Sequence, residues 1–360
     1  MNKQRMERVI ALMKERGLSQ IVITNPHSIN YLAGHLEEPF ERFWALYLSE
    51  TNGPCLIANR LFTLDDVENI PIRWYEDGED AAAVLAGVTD PGSVLGVDEA
   101  LKANILLRLM ELNAAAGYVV ASACVDEVRY QKDEEELELM RRSSQINDAA
   151  MEQFVKLIKK GVTEKQVAEQ MLAIYRSLGA EGFSFEPLVA FGPNAAGGHH
   201  GPDDTVLKEG DCVLFDVGCK YKGYCSDMTR TFFYGFVRDE DRKVYETVLK
   251  AQLAAEEKVA PGVVLKTLDQ TARDIIAAEG MGENFTHRLG HFIGVEEHEK
   301  GDVSPVSEIV AKEGMVFSIE PGAYLPGQVG VRIEDLVAVT KDGVEILNHY
   351  PKELQIIPAE

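Results

Sequence analysis

The chain has 360 residues, of which 46% are hydrophobic and 26% are charged, the proportions of a soluble globular protein. Its formal net charge of −23 argues against nucleic acid as a partner, and no run approaches the roughly 18 apolar residues that a membrane span needs. The length predicts two domains. Charges interrupt the N-terminal segment and the five cysteines show no framework spacing, so we expect no export signal, a cytoplasmic location and reduced thiols.

The first third of the chain alternates helix and strand signals, which is typical of an α/β domain. The predicted elements are a helix over 1–17, a strand over 20–24, a turn at 25–26, a polar loop over 34–42, a hairpin of 43–48 and 54–58, a helix over 80–86, a strand over 93–97, a helix over 100–115 and a strand over 118–121. This region contains no concentrated group of acids, histidines or cysteines, so we expect it to support a site located elsewhere.

The alternation of helix and strand signals ends near residues 126–132, and a long acidic helix follows. This change predicts a domain boundary, which gives domains of 1–127 and 128–360. Asp133 followed by Glu136 predicts a capping box at the start of a long acidic helix. The elements predicted after it are helices over 134–160 and 164–178, a strand over 188–191, a glycine-rich loop over 192–202, and helices over 239–259 and 265–278.

The segment 213–233 is predicted to form a hairpin with one aspartate in each otherwise apolar strand. Asp216 and Asp227 are equidistant from a turn centred between Tyr221 and Lys222. A hairpin folded there would place the two aspartates opposite each other, with Cβ atoms about 4.5–5.5 Å apart. Two like charges held so close in a half-buried position repel and resist desolvation. A bound cation is the simplest way to keep both aspartates charged in this position.

A second predicted hairpin follows the same plan, because Glu320 and Glu334 are equidistant from Gly327. Four convergent carboxylates need more than one divalent ion. Two metal ions about 3.5–4 Å apart are a known hydrolytic arrangement. The repeated order of helices followed by an acid-bearing hairpin predicts a pseudo-duplicated second domain.

Five of the eight histidines fall in two loops, and one of them is predicted to complete the metal site. His291 is flanked by Gly290 and lies close to Gly294, so the backbone can approach a crowded centre. His298 and His199 are either solvated or face a substrate. Four carboxylates and one imidazole without a thiolate suit Mn²⁺ at an open, catalytic site, with Co²⁺, Fe²⁺ or Zn²⁺ as alternatives.

The segments FDVG, CSDMTRTF, HRLGH, HE, IEPGAY and VRIED together resemble the signature of the pita-bread metallopeptidases, which include Xaa-Pro dipeptidase (prolidase), aminopeptidase P, methionine aminopeptidase and creatinase. The resemblance covers about residues 128–360, and the region before it looks like the creatinase/prolidase N-terminal domain. It implies an α/β N-terminal domain followed by an α+β pita-bread domain. In that domain it implies two metal ions bound by Asp216, Asp227, His291, Glu320 and Glu334, with Asp227 and Glu334 bridging.

The same resemblance assigns expected roles around the ions. His199 and His298 match the family's substrate-side histidines, and Arg332 matches an arginine that orients a ligand carboxylate. His287 is expected either behind the ligands or in a packing role. Two positions depart from the family pattern, since Phe292 and Gly198 stand where the family often has Gly and Pro.

The implied activity is hydrolysis of the Xaa-Pro bond of a dipeptide by a hydroxide that bridges the two ions. Glu320 would carry the proton to the proline nitrogen, and His298 or His199 would stabilise the oxyanion. Arg288 and Arg42 are candidates for binding the substrate's C-terminal carboxylate. Resemblance to prolidase suggests a homodimer in which the 34–42 loop reaches the neighbouring subunit's site, although a solvated surface turn remains the alternative.

Three other functions are compatible with the sequence. The first is aminopeptidase P activity on longer Xaa-Pro peptides. The second is a catalytically silent binding homologue, and the third is hydrolysis of another amide or C–N bond. An intact set of five ligands argues against the silent homologue and against creatine hydrolysis.

Overall fold

The structure is a computed structural model that describes residues 2–64, 67, 69–198 and 200–359. Contacts divide the chain into two compact units, Met1–Arg129 and Tyr130–Glu360. Within the described ranges, no helix combines the length and the apolar character needed to cross a bilayer.

The first unit contains a six-stranded mixed sheet flanked by helices. Its strands are β1 (Gln20–Ile23), β2 (Ala45–Ser49), β3 (Cys55–Asn59), β4 (Ile72–Tyr75), β5 (Val94–Val97) and β6 (Gly117–Val120), in the order β4-β3-β2-β1-β5-β6. Its helices are α1 (Lys3–Glu15), α2 (Pro26–Ala33), α3 (Ala81–Ala86), α4 (Ala103–Glu111) and α5 (Ala123–Tyr130). Successive residues of the central strand point to opposite faces, so Ile21 and Ile23 enter one apolar cluster while Val22 enters the other.

Most elements predicted for this unit form, and two differences have local causes. Residues 25–26 do not make an isolated turn. The Asn25 side chain accepts a hydrogen bond from the Ser28 N–H (2.8 Å) and Pro26 occupies the first helical position, so a helix begins there. The helix predicted over 100–115 is shorter, because Asn113 adopts a positive φ of 50° just after α4 ends.

The second unit surrounds its sheets with long helices. Its helices are α6 (Glu134–Phe154), α7 (Glu164–Ser177), α8 (Asp239–Glu257) and α9 (Lys266–Ala278). Its strands are β7 (Gly182–Phe183), β8 (Leu188–Phe191), β9 (Cys212–Val217), β10 (Cys219–Tyr221), β11 (Tyr224–Cys225), β12 (Met228–Tyr234), β13 (Gly290–Phe292), β14 (Glu299–Val303), β15 (Val316–Ile319), β16 (Gly322–Leu325), β17 (Val329–Arg332), β18 (Asp335–Val339), β19 (Val344–Ile346) and β20 (Ile356–Ile357). The two larger sheets have the orders β20-β12-β9-β8 and β14-β13-β15-β18-β19.

The predicted capping box at the start of α6 is confirmed. The Glu136 N–H donates to Asp133 Oδ1 (3.0 Å), and the Asp133 N–H donates to Glu136 Oε2 (2.9 Å). The helix ends at Phe154, earlier than the predicted residue 160, and continues as a single 3₁₀ turn over Val155–Leu157.

The aspartate hairpin forms, but the predicted register is wrong. β9 and β12 pair so that Asp216 lies opposite Thr229 rather than opposite Asp227. The turn is the two-residue step Lys222-Gly223, where both φ values are positive (47° and 80°), as in a type I′ turn. Its centre therefore lies one residue later than predicted. Asp227 falls in the gap between β11 and β12.

The register predicted for the glutamate hairpin is confirmed. Gly322 pairs with Arg332 in one strand pair and Ile319 pairs with Asp335 in the other, and both pairings are centred on Gly327, whose φ is 75°. Glu320 and Glu334 lie in the interruption between these two strand pairs. Three of the four acids therefore occupy gaps in the strand ladders.

Candidate active site

One cavity of about 730 Å³ in the second unit brings most of the predicted site residues together. The five predicted ligands line it, together with the other predicted site residues of this unit that the structure describes: Asp216, Asp227, His291, Glu320, Glu334, His287, Arg288, His298 and Arg332. The predicted residue His199 lies outside the described residues, although its neighbours Gly198 and His200 line the cavity.

Arg42 belongs to the first unit, where it forms an ion pair. Its guanidinium donates to both carboxylate oxygens of Asp77, from Nε at 3.0 Å and from Nη2 at 2.7 Å. A role for Arg42 in binding substrate stays a prediction, and it would require this pair to open or to share the guanidinium.

The centre of the cavity is a tight group of one imidazole and several carboxylates. One potential ligand atom from each of Asp227, His291 and Glu334 lies within 4.8 Å of the others, and all three residues are buried. His291 Nε2 is 3.5 Å from Asp227 Oδ2 and also 3.5 Å from Glu320 Oε1. These separations leave room for a cation between the donor atoms.

The orientation of His291 is set by the residues behind it. His291 Nδ1 lies 3.2 Å from the Phe292 carbonyl oxygen, to which it can donate, and this leaves Nε2 as the unprotonated nitrogen that faces the acids. The His291 N–H donates to Ser318 Oγ (3.0 Å), and the Ser318 hydroxyl donates to Glu320 Oε1 (3.1 Å). Ser318 therefore fixes the imidazole ligand and one carboxylate relative to each other.

A second set of hydrogen bonds centres on Arg332. Its guanidinium donates to Asp216 Oδ2 (2.5 Å), Thr229 Oγ1 (3.0 Å) and the Tyr324 hydroxyl oxygen (2.7 Å). The Thr229 hydroxyl in turn donates to Glu334 Oε2 (2.6 Å). One buried arginine thus orients Asp216 directly and Glu334 through Thr229.

His287 lies behind the ligands and extends this set of hydrogen bonds. Its Nε2 accepts from the Tyr324 hydroxyl at 2.9 Å, and its Nδ1 lies 2.7 Å from the Arg288 carbonyl oxygen. Burial, followed by the positive charge of Arg332, lowers the pKa of His287 to about 4, so the imidazole is neutral at pH 7.

Burial and mutual repulsion raise the pKa values of three acids at the centre of the cavity. Burial, together with the negative charges of Glu334 and Asp216, holds the pKa of Asp227 well above its ordinary value. Burial and the charge of Glu320 do the same to the pKa of Glu334. Burial raises the pKa of Glu320 to about 7, although the nearby Arg332 opposes the change. Burial also lowers the pKa of His291 to about 3, so this imidazole is neutral and can act as a ligand.

These residues fit a divalent metal centre. The buried atoms Asp216 Oδ1 and Asp227 Oδ1 have no hydrogen-bond partner in the described part of the chain. Leaving a buried carboxylate oxygen without a donor is costly, whereas a cation beside it removes the cost. Oxygen donors with one imidazole are the ligand set that suits Mn²⁺ and related first-row ions.

His298 and Arg288 line the cavity with their side chains partly open to solvent. The His298 ring lies edge-on to the His291 ring, with 4.1 Å between centroids, and its Nε2 is 3.6 Å from Glu297 Oε1. The side chain of Arg288 is 39% exposed, and its Nη1 is 4.0 Å from Asp302 Oδ2. Both side chains can therefore reach a molecule bound in the cavity.

Sequence reasoning missed the hydroxyl groups that hold the ligands. Thr229, Ser318 and Tyr324 bond directly to predicted site residues. Thr229 lies in the segment CSDMTRTF and Tyr324 lies in IEPGAY, each close in sequence to a predicted ligand acid. This proximity could have indicated that the two hydroxyl groups contact the site. Glu297, which lines the cavity and whose pKa is raised to about 7 by burial and by Asp216, was also missed.

Comparison with known proteins identifies related sequences along the whole chain. Residues 138–341 match metallopeptidase family M24, and residues 5–131 match the creatinase/prolidase N-terminal domain. An uncharacterized peptidase of Staphylococcus aureus (SAB1567, strain bovine RF122 / ET3-1) is 36% identical over 92% of this chain and 94% of its own length.

Two solved structures bear on the choice between activities. A recombinant prolidase from Thermococcus sibiricus superposes with a TM-score of 0.93 at 33% identity, covering 99% of this chain and 100% of its own. An X-Pro aminopeptidase from Thermotoga maritima MSB8 superposes with a TM-score of 0.86 at 31% identity, covering 98% of this chain and 99% of its own. The predicted fold class, an α/β domain of the creatinase/prolidase type followed by a pita-bread domain, is confirmed.

Proposed function

Because the chain belongs to metallopeptidase family M24, we propose that it hydrolyses the Xaa-Pro bond of dipeptides with two bound divalent ions, of which Mn²⁺ suits the ligands best. The observation that carries the proposal is the group of Asp227, His291 and Glu334, whose ligand atoms converge within 4.8 Å. Glu320 and Asp216 line the same cavity and complete a set of five donors.

The bound ions would polarise the scissile carbonyl and lower the pKa of water so that a nucleophile forms at neutral pH. The remaining chemistry falls to the side chains. Glu320, which accepts a hydrogen bond from Ser318, would accept a proton and return it to the proline nitrogen. Without that proton the nitrogen would have to leave as a strongly basic anion. Because it belongs to a tertiary amide, it also has no N–H to donate to the site.

The histidines at the open side of the cavity would stabilise the oxyanion. His298 lies against His291 and is partly exposed, so its ring can turn an N–H toward a bound carbonyl. We assign the same role to His199 from the sequence alone. Each such donor is worth about 3–4 kcal/mol of transition-state stabilisation when it resembles a typical oxyanion donor.

The C-terminal carboxylate of a dipeptide needs a cation within reach. Arg288 lines the cavity and its only described ion pair, with Asp302, spans 4.0 Å, so its guanidinium is open to a ligand. We also propose that the protein is a cytoplasmic homodimer in which Arg42 and the 34–42 loop serve the neighbouring subunit's cavity, and that residues 1–127 and 128–360 are its functional domains.

A second candidate is aminopeptidase P activity on longer Xaa-Pro peptides, which the similarity to the Thermotoga maritima X-Pro aminopeptidase favours. The deciding experiment is a panel of Xaa-Pro dipeptides and Xaa-Pro-Yaa tripeptides, assayed after reconstitution with Mn²⁺ and after treatment with a chelator. We expect metal-dependent turnover with the dipeptides preferred. Preference for the tripeptides would support the second candidate. Failure to hydrolyse any of the peptides would favour a catalytically silent binding homologue.

A further inference from the structure

A second group of titratable side chains lies beside the cavity and outside the ligand set. It consists of Glu164, His200 and Asp203, whose potential ligand atoms lie within 4.8 Å of one another. Glu164 is the first residue of α7 and its side chain is fully buried (0% exposed), whereas the His200 side chain is 18% exposed. A carboxylate that is completely removed from water needs compensating donors.

Hydrogen bonds account for both oxygens of the Glu164 carboxylate. Oε1 accepts from the Phe191 N–H (2.7 Å) and from Asn194 Nδ2 (3.0 Å). Oε2 accepts from the Asp203 N–H (3.1 Å) and from His200 Nε2 (2.6 Å). Four donors from one chain segment therefore converge on a single carboxylate, which is the environment of an anchoring residue rather than of a metal ligand.

The segment that supplies these donors forms one wall of the cavity. Gly198, His200, Gly201 and Pro202 all line it. The glycines in this segment allow many backbone conformations, and an added Cβ at Gly198 or Gly201 would meet nothing within 4 Å. Side-chain packing therefore does not constrain these two glycines, and the segment is joined to the start of α7 by its bonds to the Glu164 carboxylate and by the Lys165 N–H, which donates to the Asp203 carbonyl oxygen (3.0 Å).

From this arrangement we propose that Glu164 and His200 are positioning residues that hold the 200–203 wall against the cavity and thereby set the affinity for the peptide. The inference rests on the proposed peptidase function. Neither residue is among the five ligands. His200 is directed to the helix, because its Nε2 donates to Glu164 Oε2.

The test compares His200→Leu, which removes the donor, with His200→Gln, which keeps an N–H donor at a similar distance from the backbone. His349→Leu is the matched control, because His349 is an exposed histidine of the same unit that does not line the cavity. We expect His200→Leu to raise KM for an Xaa-Pro dipeptide about tenfold with little change in kcat, since apparent affinity falls with the fraction of molecules whose wall is in place. His200→Gln should recover most of the affinity.

Amide hydrogen exchange of the 197–205 segment supplies a readout that does not need activity. Exchange should be faster in His200→Leu than in the wild type, His200→Gln and His349→Leu. Wild-type protein that hydrolyses no peptide would refute the proposed function, and the exchange comparison would still decide the positioning role.

Four results would overturn the proposal. One is unchanged KM and exchange in His200→Leu. Another is equal impairment of the Leu and Gln variants, which would make the size of the ring responsible. A third is a lower kcat at unchanged KM, which would place His200 in the chemistry. The last is loss of a bound ion from His200→Leu by elemental analysis, which would make the group a metal site.

Discussion

Replacing Glu320 with glutamine tests whether the acids of the cavity destabilise the metal-free protein. Burial raises the pKa of Glu320 from 4.5 to about 7, so the folded state binds its proton more tightly than the unfolded state does. Protonated Glu320 makes its full contribution to the free energy of unfolding below pH 4.5. This contribution is lost as the pH rises to about 7 and the side chain ionises. The difference between these two pKa values, about 2.5, corresponds to about 3–4 kcal/mol, at about 1.4 kcal/mol for each pKa unit.

Glutamine stays neutral at every pH and its oxygen can still accept the bond from Ser318. The metal-free Glu320→Gln variant should therefore match the wild type at low pH and should be about 3–4 kcal/mol more stable above pH 7. Added Mn²⁺ should reverse the order, because the wild-type carboxylate binds the ion and the amide binds it poorly.

The measurement is urea unfolding of chelator-treated protein, followed by far-ultraviolet circular dichroism. Trp44 and Trp74, the two tryptophans of the chain, both lie in the first unit, so their fluorescence reports the unfolding of that unit. Glu209→Gln, at an exposed glutamate, is the control for removing a charge. Equal stability of Glu320→Gln and wild type above pH 7, or a difference that grows toward low pH, would refute the reasoning.

Three further predictions concern the ligands, a buried ion pair and the substrate carboxylate. Asp227→Ala should lower the bound metal, measured by elemental analysis, and abolish hydrolysis; full activity would end its assignment as a bridging ligand. Lys132→Met should lower the free energy of unfolding by about 3–5 kcal/mol, because it leaves Glu299 charged in a site where the two side chains are 1% and 4% exposed. The double variant Lys132→Met/Glu299→Gln should recover much of the lost free energy of unfolding. A Lys132→Met variant as stable as the wild type would show that the ion pair does not stabilise the fold. Arg288→Ala and, if the loop serves a neighbouring subunit, Arg42→Ala should raise KM for Xaa-Pro while leaving metal content unchanged; unaltered steady-state kinetics would remove the residue from the site.

The glutamate hairpin could be predicted in detail because its sequence marks the turn clearly. Gly327 supplies the positive φ at the centre, and apolar alternation on either side leaves one register that buries the strands. For the aspartate hairpin, we predicted a turn centred between Tyr221 and Lys222. The turn in the structure is centred between Lys222 and Gly223, and Lys222, a residue without special preference for a positive φ, occupies its first position. A shift of the turn centre by one residue moved every cross-strand partner by two.

The anchoring of the 200–203 wall could not be predicted from the sequence, because it joins residues 36 positions apart. Glu164 looks like an ordinary acidic residue in the first turn of a helix, where such residues are common. Only the fold shows that its side chain turns inward and meets His200. The same holds for Arg332, whose motif indicated a role near the ligands but not its bonds to Tyr324 and Thr229.

The gaps in the strand ladders that hold Asp227, Glu320 and Glu334 have a consequence for variants of the site. The strand pairs on either side of each gap are joined by their own backbone hydrogen bonds, so none of these three side chains is paired within a ladder. Exchanging one of these acids therefore changes the chemistry of the cavity while the neighbouring strand pairs keep their register. The site can be altered one acid at a time, which suits it to a series of single and double variants.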